Sequence, residues 1–428
     1  MGKNTGKENR QSLVFIEKGI ERRYIMVKVA VLGYGTIGSG VVEIIRNSPE
    51  IINERSNDRI EVKRVLDLRD FPGDPVEDIL VHDFQVIAED PEISVVVETM
   101  GGVNPAYEFV KTSLEKGKSV CTSNKELVAK HGAELIEIAR ENHVNFLYEA
   151  SVGGGIPIIR PLHQCLTVDR VEKISGILNG TTNYILTKMT EDGSDFDSVL
   201  KEAQALGYAE RNPEADVEGY DACRKIAILT SIAYGQQVDF EDIYTEGITK
   251  ITGNDIKYAK SLNAAIKIFG TSKLEDGKVY AMVSPVMIKQ GNPLYSVNDV
   301  FNAICVTGNF LGDVMFYGKG AGKLPTASAV VADVVDAVKH KGTNIMQIWK
   351  REKMELGSFD ECKNRFFVRL AADESNEAKV KAAFGSVTVL DPVVDGEYAF
   401  ITETMTEAAF RDAIAGFDHL LNRIRVDF

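Results

Sequence analysis

The sequence predicts an α/β protein of three parts, and three observations carry that expectation. Buried-type strands alternate with amphipathic helices over 26–150, the pattern of a parallel sheet covered on both faces. After Ser151 the texture changes to glycine-rich loops and mixed α/β elements with antiparallel character, over 151–318. The last stretch, 364–428, runs strand, helix, strand, strand, helix, strand, the βαββαβ order of a ferredoxin-like split unit. A length of 428 residues, at about 150 per domain, also anticipates about three cores.

Taken in order, the first strand is 28–33 (KVAVLG), which enters Gly33-Tyr34-Gly35-Thr36-Ile37-Gly38. An apolar-periodic helix follows through Val41, Val42, Ile44 and Ile45 and ends near Asn47-Ser48-Pro49. Strands are expected at 60–68, 93–97, 119–122 and 145–148, with helices at 107–116 and 126–142. In the middle region the loop from Glu149 to Pro157 is glycine-rich, and 171–178 reads as a strand. Asn179-Gly180-Thr181-Thr182-Asn183 opens a helix with cap-type residues. Helices are expected at 197–206 and 219–234, and strands at 279–289 and 300–307. A second glycine-rich loop, Gly318 to Lys323, precedes a helix begun by Pro325; this segment, 319–340, is expected to return to the first domain. A linker is expected at 341–363. The tail reads as strand 365–370, helix 376–384, strands 386–391 and 396–403, helix 406–418 and strand 421–427.

Composition narrows the function classes. Hydrophobic residues at 44% and charged residues at 26% suit a globular chain. Lys+Arg of 49 against Asp+Glu of 63 leaves a net charge of −14, which argues against nucleic acid and anionic membrane surfaces as partners. No apolar run reaches the length of a transmembrane helix. Cys121, Cys165, Cys223, Cys305 and Cys362 are odd in number, widely spaced and form no CxxC pair, which fits reduced thiols in a cytoplasmic protein. Residues 1–25 are polar, lack the apolar core of a signal peptide and read as an unstructured extension, with Met26 as an alternative start.

Three sites carry chemistry. Gly33, Gly35 and Gly38 follow a strand and open a helix, the setting a dinucleotide fingerprint requires. Gly33 makes the tight turn, Gly35 admits backbone close to a pyrophosphate, and Gly38 lets helix and strand pack closely. The helix N-terminus adds N–H groups and positive dipole. At the end of the second strand, Asp67 suits the ribose hydroxyls of NAD, and Arg69 suits the 2′-phosphate of NADP; the sequence leaves both open. Asp67 also lies further from Gly38 than is usual, so an insertion intervenes.

The second site is Ser123-Asn124-Lys125, at the carboxyl end of a parallel strand, where ligand crevices form. A cation is disfavoured at a helix start, so Lys125 points to substrate or nicotinamide more than to a plain surface lysine. The third is the segment from Gly207 to Lys225. Helix from Gly219 onward sets Asp221 and Lys225 at i and i+4 on one face, with Glu210 and Asp216 supplied by the preceding loop. Carboxylates facing a lysine can bind an α-ammonium or tune the lysine for proton transfer. A solvated Asp–Lys surface pair is the plain alternative. The six histidines lack metal-ligand spacing, and Cys223 has no histidine placed to activate it.

Taken together, GYGTIG, ETMGG (98–102), TSNKELVA (122–129), EASVGGGIPII (149–159), GILNGTTNYIL (176–186) and the 207–225 segment resemble the homoserine dehydrogenases. The resemblance covers about 26–340. It implies a Rossmann-type NAD(P)-binding domain, a substrate-binding and dimerisation domain, and reversible reduction of L-aspartate 4-semialdehyde to L-homoserine on the route to threonine and methionine. It implies Lys225 as proton donor and acceptor, Lys125 at the junction of cofactor and substrate, and Glu210 and Asp221 holding the amino acid with Asp216 in support. Gly35, Thr36, Ile37, Thr99, Gly207 and Gly322 would line the cofactor. A structural sodium ion would take the Glu149 carboxylate and the carbonyls of Val152, Gly154 and Ile156. A homodimer is implied by the resemblance alone. The tail resembles an ACT domain, but the effector turn expected as Asp-x-Pro-Gly reads Asp373-Glu374-Ser375-Asn376, so the expectation is a tail with this fold that binds no effector, or one other than threonine. Two competing functions are a dehydrogenase of the same architecture for another semialdehyde or amino acid, and a silent sensor of dinucleotide and amino acid.

Overall fold

The computed structural model describes residues 12–17 and 20–428. The chain divides into two compact units, one formed by the sequence up to Gly155 with Gly322–Gln347, the other by Ile156–Ala321 with Ile348–Phe428.

The first unit is built on parallel strands in the spatial order Leu80–Val81, Arg59–Leu66, Ile20–Leu32, Ile93–Glu98, Ser119–Thr122 and Phe146–Leu147. Counted along the chain this is the doubly wound order 3-2-1-4-5-6, which reverses direction between Ile20–Leu32 and Ile93–Glu98. In the two central strands Val29, Ala30, Val31 and Leu32, and Val95, Val96 and Val97, are buried in succession, which is why these segments read as continuous apolar stretches and not as alternating ones. The helix Lys323–Lys339 returns to this unit and buries Ala327, Val330, Val331, Val334 and Val338 in the same core as Val29, Val31, Val41 and Val42. Gly40, on the helix Thr36–Asn47, permits that crossing: a methyl there would lie 2.9 Å from Cβ of Ala327.

Three boundaries differ from the sequence expectation. The extension expected to be unstructured is partly strand: Ser12–Glu17 pairs antiparallel with the start of Ile20–Leu32, Ser12 opposite Ile25 and Glu17 opposite Ile20. The segment SLVFIE is rich in β-forming residues, a signal hidden by its polar flanks. The rest of that expectation, residues 1–11, 18 and 19, lies outside the described residues. The segment up to Gly155 stays with the first unit, since the Glu149 N–H donates to Asp333 Oδ2 at 2.9 Å on the returning helix. The stretch 341–363 is not a free linker. Asn145 Nδ2 donates to the Thr343 carbonyl at 3.0 Å, Asn145 Oδ1 accepts from the Ile345 N–H at 2.7 Å, and Gln347 Nε2 donates to the Phe146 carbonyl at 2.9 Å. These bonds satisfy backbone groups beside the short edge strand Phe146–Leu147. Beyond them Lys350–Lys353 pairs with Gln236–Gln237 in the second unit, and the buried Trp349 donates to Gln237.

The second unit carries one mixed sheet, in the order Gly312–Lys319, Phe301–Gly308, Val171–Ile177, Ala264–Glu275, Lys278–Lys289, Leu420–Asp427, Lys363–Ala371, Glu397–Thr402 and Val387–Val389. Tyr244–Thr245 pairs parallel with Lys278–Lys289 beside this path. The helices Gly180–Asp192, Tyr220–Tyr234 and Gly253–Ser261 pack against the central strands. The strands Ala264–Glu275 and Gly312–Lys319 and the helices Pro49–Ser56 and Gly253–Ser261 were not expected from the sequence.

The tail keeps the expected βαββαβ order, with Met405–Thr406 as an added two-residue strand. Its main strands stand in the order 4-1-3-2 around a core of Phe366, Val368, Leu370, Val380, Phe400 and Phe410. It is continuous with the middle sheet: Leu420–Asp427 runs parallel to Lys278–Lys289, with Val286 opposite Arg425 and Ile288 opposite Asp427. Arg369 reinforces the seam, with Nη1 at 2.6 Å from Asp255 Oδ1 and Nη2 at 2.7 Å from Glu397 Oε1.

Candidate active site

In the first unit the glycine turn has the geometry its sequence requires. Gly33 has φ +90° and donates its N–H to the Leu66 carbonyl at 2.8 Å. A methyl on Gly38 would lie 1.9 Å from the Gly33 carbonyl oxygen, so only glycine fits there. A methyl on Gly35 would meet nothing within 4 Å, so the space above the turn is open where Thr36 and Ile37 begin the helix Thr36–Asn47. The first N–H groups of that helix have no intrahelical acceptor and suit an anion. Thr99 Oγ1 donates to the carbonyls of Leu32 at 3.1 Å and Gly33 at 3.0 Å, tying the turn to the neighbouring strand end. Gly322, at φ +125°, begins the returning helix.

Asp67 and Arg69, the two alternatives for the ribose, hold each other. Arg69 Nε donates to Asp67 Oδ1 at 2.9 Å and Nη2 to Oδ2 at 3.0 Å, while Asp67 Oδ2 also accepts the Tyr34 N–H at 2.8 Å. The guanidinium, followed by these backbone N–H groups, holds the Asp67 carboxyl well below the usual carboxylate range. The carboxylate is mostly covered, whereas the Arg69 side chain is 63% exposed.

Lys125 begins the helix Lys125–Glu141, whose cap is Asn124: Asn124 Oδ1 accepts the Leu127 N–H at 3.1 Å. Behind this cap lies Glu98, which the sequence marks only as the first residue of ETMGG. It is fully buried, and burial pushes its carboxyl up. Its Oε2 accepts from the Thr122 hydroxyl at 2.6 Å and its Oε1 from the Met100 N–H at 2.7 Å. Asn124 Nδ2 in turn donates to the Gly102 carbonyl at 2.6 Å. One carboxylate thus organises two strand ends and the loop between them. The available signal was an acid closing the apolar strand ISVVVE.

Of the residues expected around a sodium ion, Glu149, Val152 and Gly154 lie in the first unit and Ile156 in the second. Glu149 is buried, and Gly153 and Gly154, at φ +72° and +55°, bend the loop after it. Among the described residues no group of three or more His, Cys, Asp or Glu side chains could hold a metal ion. The expected donors, one carboxylate and backbone carbonyls, are all oxygens, the ligand type of hard cations.

In the second unit the structure brings Lys225, Asp221 and Asp216 together. Gly219, at φ +85°, starts the helix Tyr220–Tyr234, and Lys225 Nζ donates to Asp221 Oδ2 at 2.7 Å and to the Leu178 carbonyl at 2.8 Å. Lys225 is 8% exposed and Asp221 4%, which removes the solvated surface pair as an explanation. The organiser is Asn179, which the sequence marked only as a helix cap. Its Oδ1 accepts the Thr182 N–H at 2.9 Å, while its Nδ2 donates to Asp216 Oδ1 at 2.7 Å and to Asp221 Oδ2 at 2.9 Å. Glu210 differs from expectation: it is exposed on its loop and forms no hydrogen bond to this cluster, its backbone carbonyl accepting instead from Gln204. Gly207, at φ +77°, lies in an exposed turn of the same unit. A buried ammonium with two carboxylates and an amide can exchange a proton and bind a second cation.

Known proteins carry the same arrangement of domains. The family model for the homoserine dehydrogenase NAD binding domain matches residues 33–149, and that for homoserine dehydrogenase matches 157–335. The homoserine dehydrogenase of Synechocystis sp. is 47% identical over 324 residues, 73% of this chain and 73% of that protein. The chain belongs to the homoserine dehydrogenase family. A solved homoserine dehydrogenase from Thiobacillus denitrificans matches with a TM-score of 0.87 at 35% identity, covering 94% of this chain and 98% of that one. A hyperthermophilic archaeal homoserine dehydrogenase solved in complex with NADPH matches with a TM-score of 0.65 at 28% identity, covering 76% of this chain and 100% of that one.

As a homoserine dehydrogenase, the protein is an oxidoreductase that interconverts L-aspartate 4-semialdehyde and L-homoserine with NAD(P)(H), in the aspartate pathway to threonine and methionine. This sets aside both competing functions, the other semialdehyde and the silent sensor.

Proposed function

We propose that Lys225 is the acid–base residue of this homoserine dehydrogenase, and that Asp221 and Asp216 hold the substrate ammonium. The observation that carries the reading is the buried Lys225–Asp221 pair at 2.7 Å with Asn179 bridging both acids. When bound, the nicotinamide supplies the hydride in reduction and accepts it in oxidation. In reduction the Lys225 ammonium gives its proton to the oxygen of the aldehyde as that oxygen becomes an alcohol. In oxidation the neutral amine takes the hydroxyl proton back. Asp221 keeps the ammonium aimed, and Asn179 holds Asp221 so that the carboxylate does not turn away. On the same reading Lys125, at a helix start capped by Asn124, is the second catalytic lysine, and Glu210 is a further acid for the substrate amino group. Lys225→Ala lowers kcat by about 10²–10⁴-fold in homoserine oxidation while NADPH affinity, measured by fluorescence titration, stays nearly constant. Survival of turnover would remove Lys225 from this role.

Arg69 selects NADP(H) on this reading. The Asp67 carboxylate is engaged by the Tyr34 N–H and by Arg69 Nε and Nη2, while Nη1 of the exposed guanidinium is not spent on it and can meet a 2′-phosphate. Arg69→Ala raises the KM for NADPH about tenfold and leaves that for NADH within about twofold in parallel steady-state assays. Equal loss with both cofactors counts against it.

We further propose a sodium ion at the loop that follows Glu149, because the carboxylate of Glu149 and the backbone carbonyls after it are oxygen donors, the ligand type that hard cations take. Its part is structural. Replacing sodium by a bulky organic cation lowers the thermal midpoint, and an unchanged midpoint excludes the site.

The tail is ACT-like in its strand order but has a closed effector turn. Asp373 Oδ1 accepts the Ser375 N–H at 2.7 Å, and the buried Asn376 donates to the Ala371 carbonyl at 2.7 Å, so the turn spends its polar groups on itself. Threonine titrated into the assay therefore leaves homoserine oxidation unchanged. Saturable inhibition that does not compete with homoserine would refute the closed turn.

A further inference from the structure

The tail reaches the substrate cluster through one carboxylate, Glu246. This residue follows the strand Tyr244–Thr245, and its N–H donates to the Val283 carbonyl at 2.8 Å. Its Oε2 accepts from Arg423 Nη1 at 2.9 Å, Arg425 Nη1 at 2.8 Å and the Tyr244 hydroxyl at 3.2 Å. Both arginines belong to the last strand of the tail, Leu420–Asp427. Arg425 is 2% exposed and is itself held by Glu407, Nε to Oε1 at 2.6 Å and Nη2 to Oε2 at 3.0 Å. Burial pushes the Glu246 carboxyl up, but the two guanidinium groups outweigh it and hold it below its ordinary value.

The next two residues carry the contact onward. A methyl on Gly247 would lie 2.1 Å from the Val217 carbonyl oxygen and 2.5 Å from Glu218 Cα, so backbone here rests directly on backbone. The Ile248 N–H donates to that same Val217 carbonyl at 2.8 Å. Gly219 faces the side chains of Val283 and Thr245, at 3.1 and 3.2 Å from the position of a Cβ. Val217–Tyr220 is the short connection between Asp216 and Asp221, and the Gly219 N–H donates to the Asp216 carbonyl at 3.0 Å. A shift of this connection therefore changes the separation and aim of both acids.

We propose that Arg423, Arg425, Glu246 and Gly247 are positioning residues for substrate binding, through which the C-terminal tail holds the Asp216–Asp221 connection in its binding geometry. The inference rests on the reading of Asp216 and Asp221 as the residues that hold the substrate ammonium. It makes the tail a working part of the catalytic unit even where its own effector turn is closed.

The test is steady-state kinetics of the full-length enzyme, with a thermal melt of each variant. Glu246→Gln removes the charge that the arginines grip while keeping shape, and Gly247→Ala pushes on Val217 while leaving the ion pairs intact. Both raise the KM for homoserine about tenfold, while the KM for the cofactor stays within about twofold and the protein stays folded. Arg423→Lys, which keeps a cation at the site, stays closer to the parent enzyme than Arg423→Gln does. Asp221→Asn is the reference, with a raised homoserine KM of its own. If Asp221→Asn raises that KM and neither Glu246→Gln nor Gly247→Ala does, the positioning role is wrong and the assignment of the acids stands. If Asp221→Asn leaves it unchanged, the assignment fails and this inference with it. Equal losses for homoserine and cofactor, in step with a lowered melting point, would reduce the contact to general stability and overturn the proposal.

Discussion

A lysine ammonium taken out of water has to be compensated, and the second unit is arranged around meeting that demand at Lys225. Desolvating a single charge costs several kcal/mol even after relaxation, and a lone carboxylate opposite it adds a second desolvation cost. The pair persists because other groups share the load. The Leu178 carbonyl takes one ammonium hydrogen, Asp221 takes another, and Asn179 donates to Asp221 and to Asp216. Leu178 and Asn179 lie just past the end of the strand Val171–Ile177, and Asp221 and Lys225 lie on the helix Tyr220–Tyr234. The site therefore requires that strand end and that helix to keep their separation to within hydrogen-bonding tolerance, a constraint passed on to every element packed against them.

The first unit solves a different problem by a different means. An anionic cofactor needs open space beside backbone N–H groups, so the turn is built by removing atoms. Gly38 brings the helix against the Gly33 carbonyl, Gly40 lets the returning helix approach, and Gly35 leaves the approach to the turn clear. Polar order sits one layer behind, in Thr99 and the buried Glu98, whose partners are hydroxyl, amide and backbone groups with no cation among them. A carboxylate so placed orients loops through directional hydrogen bonds without laying a strong opposite charge next to the ligand crevice.

What could be read from the sequence was local. GYGTIG specifies its own turn because steric limits act within six residues, and Asp221 and Lys225 share a face because helix geometry sets i and i+4. What depended on distant partners could not be read. Asn179 looks like a helix cap, and is one, yet its amide also serves acids 37 and 42 positions further on. Glu246 and Gly247 carry no motif at all, and their meaning lies in Arg423, Arg425 and Val217. The strand Ala264–Glu275 was missed because Lys267 interrupts its apolar pattern. That lysine is 2% exposed and bonds to the carbonyl of Val297 at 2.6 Å and to Asn298 Oδ1 at 2.8 Å, and burial pushes it down to about 8. A lysine with neutral acceptors built around it behaves as an interior residue, which composition cannot reveal.

The charged seam between the tail and the middle sheet follows from how little backbone joins them. Only Val286, Met287 and Ile288 pair with Arg425, Val426 and Asp427. Three residue pairs specify register weakly, and a slip of one residue would turn each side chain of the last strand to the opposite face. Arg425, paired to Glu407 and Glu246, and Arg369, paired to Asp255 and Glu397, make such a slip costly, since every shifted register strands a buried charge. Apolar side chains would tolerate sliding; ion pairs with fixed geometry do not. Specificity of docking, more than net stability, is what these buried pairs supply, and that specificity is what lets a strand at the end of the chain hold a loop two hundred residues earlier.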